Sequence, residues 1–141
     1  MDRLRSVLGL LGGGIIAASS ALHALMGWPA MAGELARIQA SPDLVAGLRV
    51  GWYFGSVAML AFGLVAIVTF AARMRGQPAS LAPVVIVAVT YLAFGLWALV
   101  ASGMNPFFLI FIVPALMLLI ASWSRGDAAP AARTAPDAVL R

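Results

Sequence analysis

The sequence predicts an all-α integral membrane protein, a four-transmembrane-helix bundle with both termini inside and a short interfacial helix in its first outer loop. Three observations carry that expectation. The 141 residues are 63% hydrophobic and 10% charged, against roughly 25% charged in a soluble domain, so the chain cannot clothe a water-facing surface. Four apolar segments, about 6–26, 43–72, 81–103 and 106–123, each reach the roughly 20 residues that a hydrocarbon core of about 30 Å demands of a helix. Finally, the basic residues, all arginine, are unevenly placed. Arg3, Arg5, Arg73, Arg75, Arg125, Arg133 and Arg141 fall on one side, and only Arg37 and Arg49 on the other. Arginine collects on the cytoplasmic face, which orients the chain N-in and C-in. Helices are the expected form because a spanning segment must satisfy its own backbone hydrogen bonds.

The first segment, "MDRLRSVLGLLGGGIIAASSALHA", has the outline of a signal peptide, but its apolar run of about 20 residues is long enough to span. Pro29 is expected to end this helix. Beyond it Met31, Leu35 and Ile38 recur at helical spacing with Glu34 and Arg37 between them, the pattern of an amphipathic helix on the outer surface. "SPD" (41–43) reads as a cap, a first-turn proline and an acid at a helix start, so the second helix begins before the membrane. Arg49 and Arg73 lie 24 residues apart, about 36 Å of helix, which puts one at each interface.

"RMRGQPAS" (73–80) is a short inner turn broken by Gly76 and Pro78. In "GMNPF" (103–107), Asn105 suits an N-cap and Pro106 the first helical position, which makes the third and fourth helices an antiparallel pair. Residues 1–124 thus form the transmembrane domain, and the Ala-, Pro- and Arg-rich stretch 125–141 is expected to be a disordered cytoplasmic tail. An internal echo joins "MLAFGLVAIV" (59–68) to "YLAFGLWALV" (91–100), identical at seven of ten positions. It reflects either shared packing needs or an inverted repeat of the kind found in transporters.

Glycine spacing is the most specific pattern. Gly9 and Gly13, continued by Ala17 and Ala21, and Gly47, Gly51 and Gly55 recur every four residues, which lets membrane helices approach closely. Such faces serve packing within the chain or a seam with a second one. A second constellation is polar and aromatic. His23, the only histidine, falls at the same depth as Trp28, Arg49, Trp52, Tyr53 and Trp97 near the outer face, with Ser19 one turn before it and Ser56 one turn below Tyr53. Aromatics at that level form the ordinary interfacial belt, whereas an ionisable group in a spanning helix marks a functional position. His23 is therefore either bonded to Ser19, Tyr53 or a backbone carbonyl, or in contact with a ligand. His23, Arg49, Trp52, Tyr53 and Ser19 are the candidate ligand-binding residues.

Several classes are excluded. With no cysteine there are no disulfides or thiolate sites. All five acids lie outside the spanning segments, so no intramembrane carboxylate is placed to carry a proton. There is no nucleophile–base pair, paired-carboxylate site or phosphate-cradling loop, which points away from an enzyme. The net charge of +4 is explained by arginines at helix ends and does not indicate nucleic acid. No cofactor or metal is expected; a bis-histidine haem would need a histidine from another chain. The partners expected are the lipid bilayer and a second copy or a larger membrane complex. The leading expectation is thus an accessory or scaffolding subunit of a bacterial inner membrane, docking through its glycine-rich faces. The alternative is a protein that binds or transports a small apolar or amphiphilic molecule (lipid, quinone or hydrophobic drug) in an outer-leaflet pocket.

Overall fold

A computed structural model describes residues 2–123; the expected disordered tail at 125–141 lies outside the described residues. Among those described, every regular element is helical. The order is α1 (Asp2–Leu22), a π turn (His23–Gly27), α2 (Trp28–Arg37), α3 (Pro42–Met74), α4 (Ala82–Ala101), a 3-10 turn (Pro106–Phe108) and α5 (Leu109–Ser122). Three helical stretches, 3–37, 42–74 and 82–101, are long and apolar enough to cross a membrane, and 106–122 is a shorter apolar one. Large apolar side chains such as Phe54 (74% exposed) and Val100 (72%) point outward along these helices. Water would not tolerate such an apolar surface, so the chain is a helical membrane protein.

Helix ends follow local chemistry. Ser41 Oγ accepts from the Leu44 backbone N–H at 3.3 Å and Pro42 occupies the first turn of α3. Asn105 Oδ1 accepts from the Phe107 N–H at 3.0 Å. The C-termini of α3 and α4 close through Gly76 and Gly103, both in left-handed conformation (φ 72° and 68°). The following N–H groups reach back, Gln77 to the Ala72 carbonyl and Met104 to that of Leu99, so terminal carbonyls are satisfied without water.

Pro29 does not end the first helix, contrary to the expectation from the sequence. Backbone torsions stay helical through Leu22, Gly27 and Trp28, and α2 continues directly from α1. Proline cannot donate to the carbonyl four residues back and its ring collides with that carbonyl in a regular α-turn. One wider turn removes the conflict: the Trp28 N–H bonds the His23 carbonyl five residues back. Trp28 and Leu35 of α2 are buried, whereas Ile38 is exposed. The apolar stripe read from 31, 35 and 38 is therefore only partly a packing face.

Helix α1 is the axis of the bundle. It packs against α3 on one side and α5 on the other; α5 in turn packs on α4, and α3 and α4 barely touch. The "LGGGI" run makes this double packing feasible. A Cβ on Gly13 would stand 2.9 Å from that of Ala66 and 3.0 Å from the Gly63 carbonyl, and one on Gly9 would enter the Phe70 ring. On the other flank, a Cβ on Gly12 would meet Leu118 at 3.2 Å. Gly63 opposite is equally constrained, at 2.6 Å from the Ala17 amide nitrogen. Gly9 and Gly13 thus form an intramolecular seam. Gly47 and Gly51 have nothing within 4 Å, and Gly55 meets only His23 at 3.8 Å.

The internal echo has a packing explanation. Gly63 and Ala66 of α3 are buried against α1, and their counterparts Gly95 and Ala98 of α4 are buried too, with Gly95 against Ile112 and Phe111 of α5. Matching α3 with α4 pairs α1 with α5, which reverses chain order. A duplication preserves order, so a common need for small residues at a close crossing accounts for the match.

The core holds Ile16, Ala66, Phe70, Val84, Ala88 and Leu118, clustered toward the end where α1 begins. At the other end α3 carries no buried residue before Ser56, and the helices part. Gly63→Ala should lower stability by about 1–3 kcal/mol, since backbone, not a flexible tip, blocks the new methyl. Gly47→Ala should be neutral or slightly stabilising. Thermal unfolding in detergent micelles distinguishes them; equal melting temperatures would contradict the seam.

Candidate functional site

Where α3 and α4 part, a cleft opens between α1, α3, α4 and α5. It has two adjoining lobes of about 420 and 270 Å³, which share His23, Met59, Tyr91 and Phe111. The larger is within the range of about 300–1,000 Å³ typical of small-molecule sites. Its walls are aromatic and aliphatic, from the π turn, the upper half of α3, the middle of α4 and the start of α5.

The π turn sets the polar edge of the cleft. The His23 carbonyl accepts the Trp28 N–H, and it also accepts the Trp52 indole Nε1–H at 2.7 Å. This second bond draws Trp52 over His23, and the two rings stack with centroids 4.2 Å apart and planes 7° from parallel. Gly27 completes the fit, because a Cβ there would stand 2.7 Å from Trp52 Cζ2. Trp28 packs beside Trp52 and Tyr53, with centroids 6.4 and 6.2 Å away.

The imidazole is held through Nδ1 by a serine. Ser56 Oγ lies 3.1 Å from the Trp52 carbonyl, the usual back-bond of a helical serine, and 2.9 Å from His23 Nδ1. When the hydroxyl donates to that carbonyl it accepts from Nδ1, and Nε2 of the neutral ring is then an acceptor. No described residue bonds it.

Tyr91 supplies the complementary group. It is 5% exposed, held between Phe62 and Phe111 with centroids 6.2 and 5.8 Å from its own, yet its hydroxyl has no hydrogen-bond partner among the described residues. A buried hydroxyl left unpaired costs about 1–3 kcal/mol, so its retention calls for a partner that a ligand can provide. Thr90, which also lines the cleft, is already satisfied by the Ile86 carbonyl at 2.9 Å. Pro114, buried in mid-α5, cannot donate to the carbonyl of Ile110, whose residue lines the larger lobe.

Of the five residues expected to bind a ligand, the structure brings Ser19, His23 and Trp52 to the cleft. Arg49 is exposed and lines neither lobe, and Tyr53 is turned onto Trp28 instead. The partner of His23 is Ser56, not Ser19 or Tyr53. Tyr91 is the residue that depth reasoning missed. A hydroxyl in the middle of a membrane helix ordinarily bonds its own backbone or a neighbouring helix, so residue type alone does not mark it. Among the described residues no three His, Cys, Asp or Glu side chains lie together, so His23, Glu34 and Asp43 do not converge. Glu34 instead pairs with Arg37 on exposed α2.

The geometry defines a helical membrane protein with an apolar cleft edged by a histidine and an unpartnered tyrosine hydroxyl. No family model, curated protein or solved structure matches the chain.

Gly27→Ala should push the indole of Trp52 off His23, lowering stability by about 1–3 kcal/mol and changing the tryptophan emission. Gly33→Ala, where the methyl meets nothing within 4 Å, serves as the control. Indistinguishable melting and emission for the two would mean that the stack does not organise this end of the bundle.

Proposed function

We propose that the protein binds a small amphiphile in this cleft, a molecule with an extended apolar body and a hydroxyl-type head. One observation supports this reading above others: His23 Nε2, lacking a donor, and the Tyr91 hydroxyl, lacking an acceptor, belong to two residues that line the same apolar space. A hydroxyl both donates and accepts, so one such group answers both needs. The gap between α3 and α4 gives a lateral way in from lipid, which suits a ligand dissolved in the bilayer.

In this reading all four long helices span a bacterial inner membrane, with both chain ends in the cytoplasm and the cleft in the outer leaflet. The 35-residue stretch 3–37 measures about 52 Å, well beyond a hydrocarbon core of about 30 Å. Helix α2 and the start of α3 then stand at or above the outer interface. Binding does not require Arg49, which leaves the head neutral.

A second reading draws on the bare Gly47–Gly51 face of α3, which has no partner among the described residues and offers a close-packing surface to a second copy. Gly51→Leu should abolish a dimer seen by native mass spectrometry and leave ligand binding unchanged.

The cleft is tested with farnesol and farnesene, an isoprenoid alcohol and its hydrocarbon counterpart, titrated into protein in nanodiscs with tryptophan emission as readout. The wild type should prefer the alcohol about tenfold, as expected of one or two hydrogen bonds worth about 1 kcal/mol each. Tyr91→Phe and His23→Ala should each remove most of that preference. Equal affinity for both compounds, or a preference that survives both substitutions, would sink the proposal.

A further inference from the structure

The opposite end of the bundle carries a second cavity, of about 490 Å³, where α1 begins and α3 ends. The contact of Gly9 with Phe70 brings these two ends level. Arg3, Ser6, Arg73, Met74, Gly76 and Gln77 line the cavity. Unlike the cleft, this space is edged by cations. Among the described residues Arg73 makes one bond, from its Nη1 to the Ala79 carbonyl at 3.4 Å. The Ser6 hydroxyl belongs to a residue only 5% exposed.

Two guanidinium groups on one cavity repel each other unless an anion lies between them. No described acidic side chain lines the space: Glu34 and Asp43 sit at the far end of α2 and the near end of α3. Asp2 is the one acid in the first helix. Against it stand Arg3, Arg5, Arg73 and Arg75, so this end keeps a positive excess. Guanidinium forks match the oxygens of phosphate in a two-pronged way that ammonium cannot.

The height of the cavity selects the source of that phosphate. One spanning stretch begins at Arg3 and another ends at Met74, so the cavity lies level with one membrane face. Leu4 (76% exposed) and Met74 (43% exposed) offer apolar surface beside it, where acyl chains would run. We propose that Arg3 and Arg73 form a site for the phosphate of an anionic phospholipid, with the Ser6 hydroxyl and the Gln77 amide as additional donors. The site stands independently of the amphiphile cleft. It would tie the bundle to a bilayer through a headgroup at the end opposite its open mouth.

The test uses the full chain in nanodiscs holding equal phosphatidylglycerol and phosphatidylethanolamine, with retained lipid counted by native mass spectrometry after release. Wild type should retain phosphatidylglycerol about fivefold over phosphatidylethanolamine, the scale expected of one well-placed basic residue at a membrane surface. The double variant Arg3→Gln with Arg73→Gln should lose the preference. Arg73→Lys should keep part of it, since charge remains but the fork does not. Arg37→Gln, at the far end, should leave it intact. Both arginines are exposed, and an unchanged melting temperature confirms that the variants fold. No preference in the wild type, or one that survives the double substitution, overturns the site. Displacement of the lipid by millimolar inorganic phosphate overturns the lipid assignment in favour of free phosphate.

Discussion

Two donors converge on the carbonyl oxygen of His23, and the open half of the bundle depends on them. One is the Trp28 amide, which closes the π turn, and the other is the Trp52 indole, which crosses from α3. A break at Pro29 would release backbone groups that must find new partners. The wider turn keeps the helix continuous and offers one carbonyl to a neighbouring helix. The consequences reach the side chain of the same residue. Trp52, brought in by its indole hydrogen, covers one face of the imidazole, and Ser56 one turn further on engages its Nδ1. What remains of His23 is its Nε2 edge beside an apolar space.

The closed half is held differently. Helix α1 touches two neighbours at nearly backbone distance because glycines at 9, 12 and 13 clear both flanks. Close approach near Gly13 and Gly63, with Phe70 filling the notch at Gly9, locks α1 to α3. Gly95 does the same for α4 on α5. With α1 joined to both pairs and α3 scarcely meeting α4, the bundle is tight at one end and parted at the other. The cleft thus begins where the close glycine contacts stop, since the glycines of α3 before Ser56 meet nothing but His23.

Much of the architecture was legible in the sequence. Hydropathy marked the long apolar helices, the caps at Ser41 and Asn105 lie where residue type placed them, and the spacing of Gly9 and Gly13 gave a true seam. Spacing could not say which stripe was partnered, so Gly47 and Gly51 looked equivalent to Gly9 and Gly13. Gly63 and Gly95 stood within the repeated "LAFGL" and were visible only as an echo, because a single glycine carries no period. Pro29 was read as a stop because one wider turn leaves no mark in residue type. For the site, depth along the helices grouped His23 with Trp52, which stack, and with Arg49, which lines neither lobe, since height says nothing about which side chains turn inward. Tyr91 was hidden for the converse reason: it comes from another helix, nearer mid-membrane, and joins His23 only through the way α3 and α4 separate.

The solitary histidine makes the central claim directly accessible. Solid-state NMR of protein labelled with ¹⁵N at histidine, in lipid bilayers at neutral pH, gives the two ring nitrogens of His23 without overlap. The account predicts a neutral ring with the hydrogen on Nδ1 and a bare Nε2, whose resonance moves when farnesol is added. A hydrogen on Nε2, or a doubly protonated ring, would contradict it.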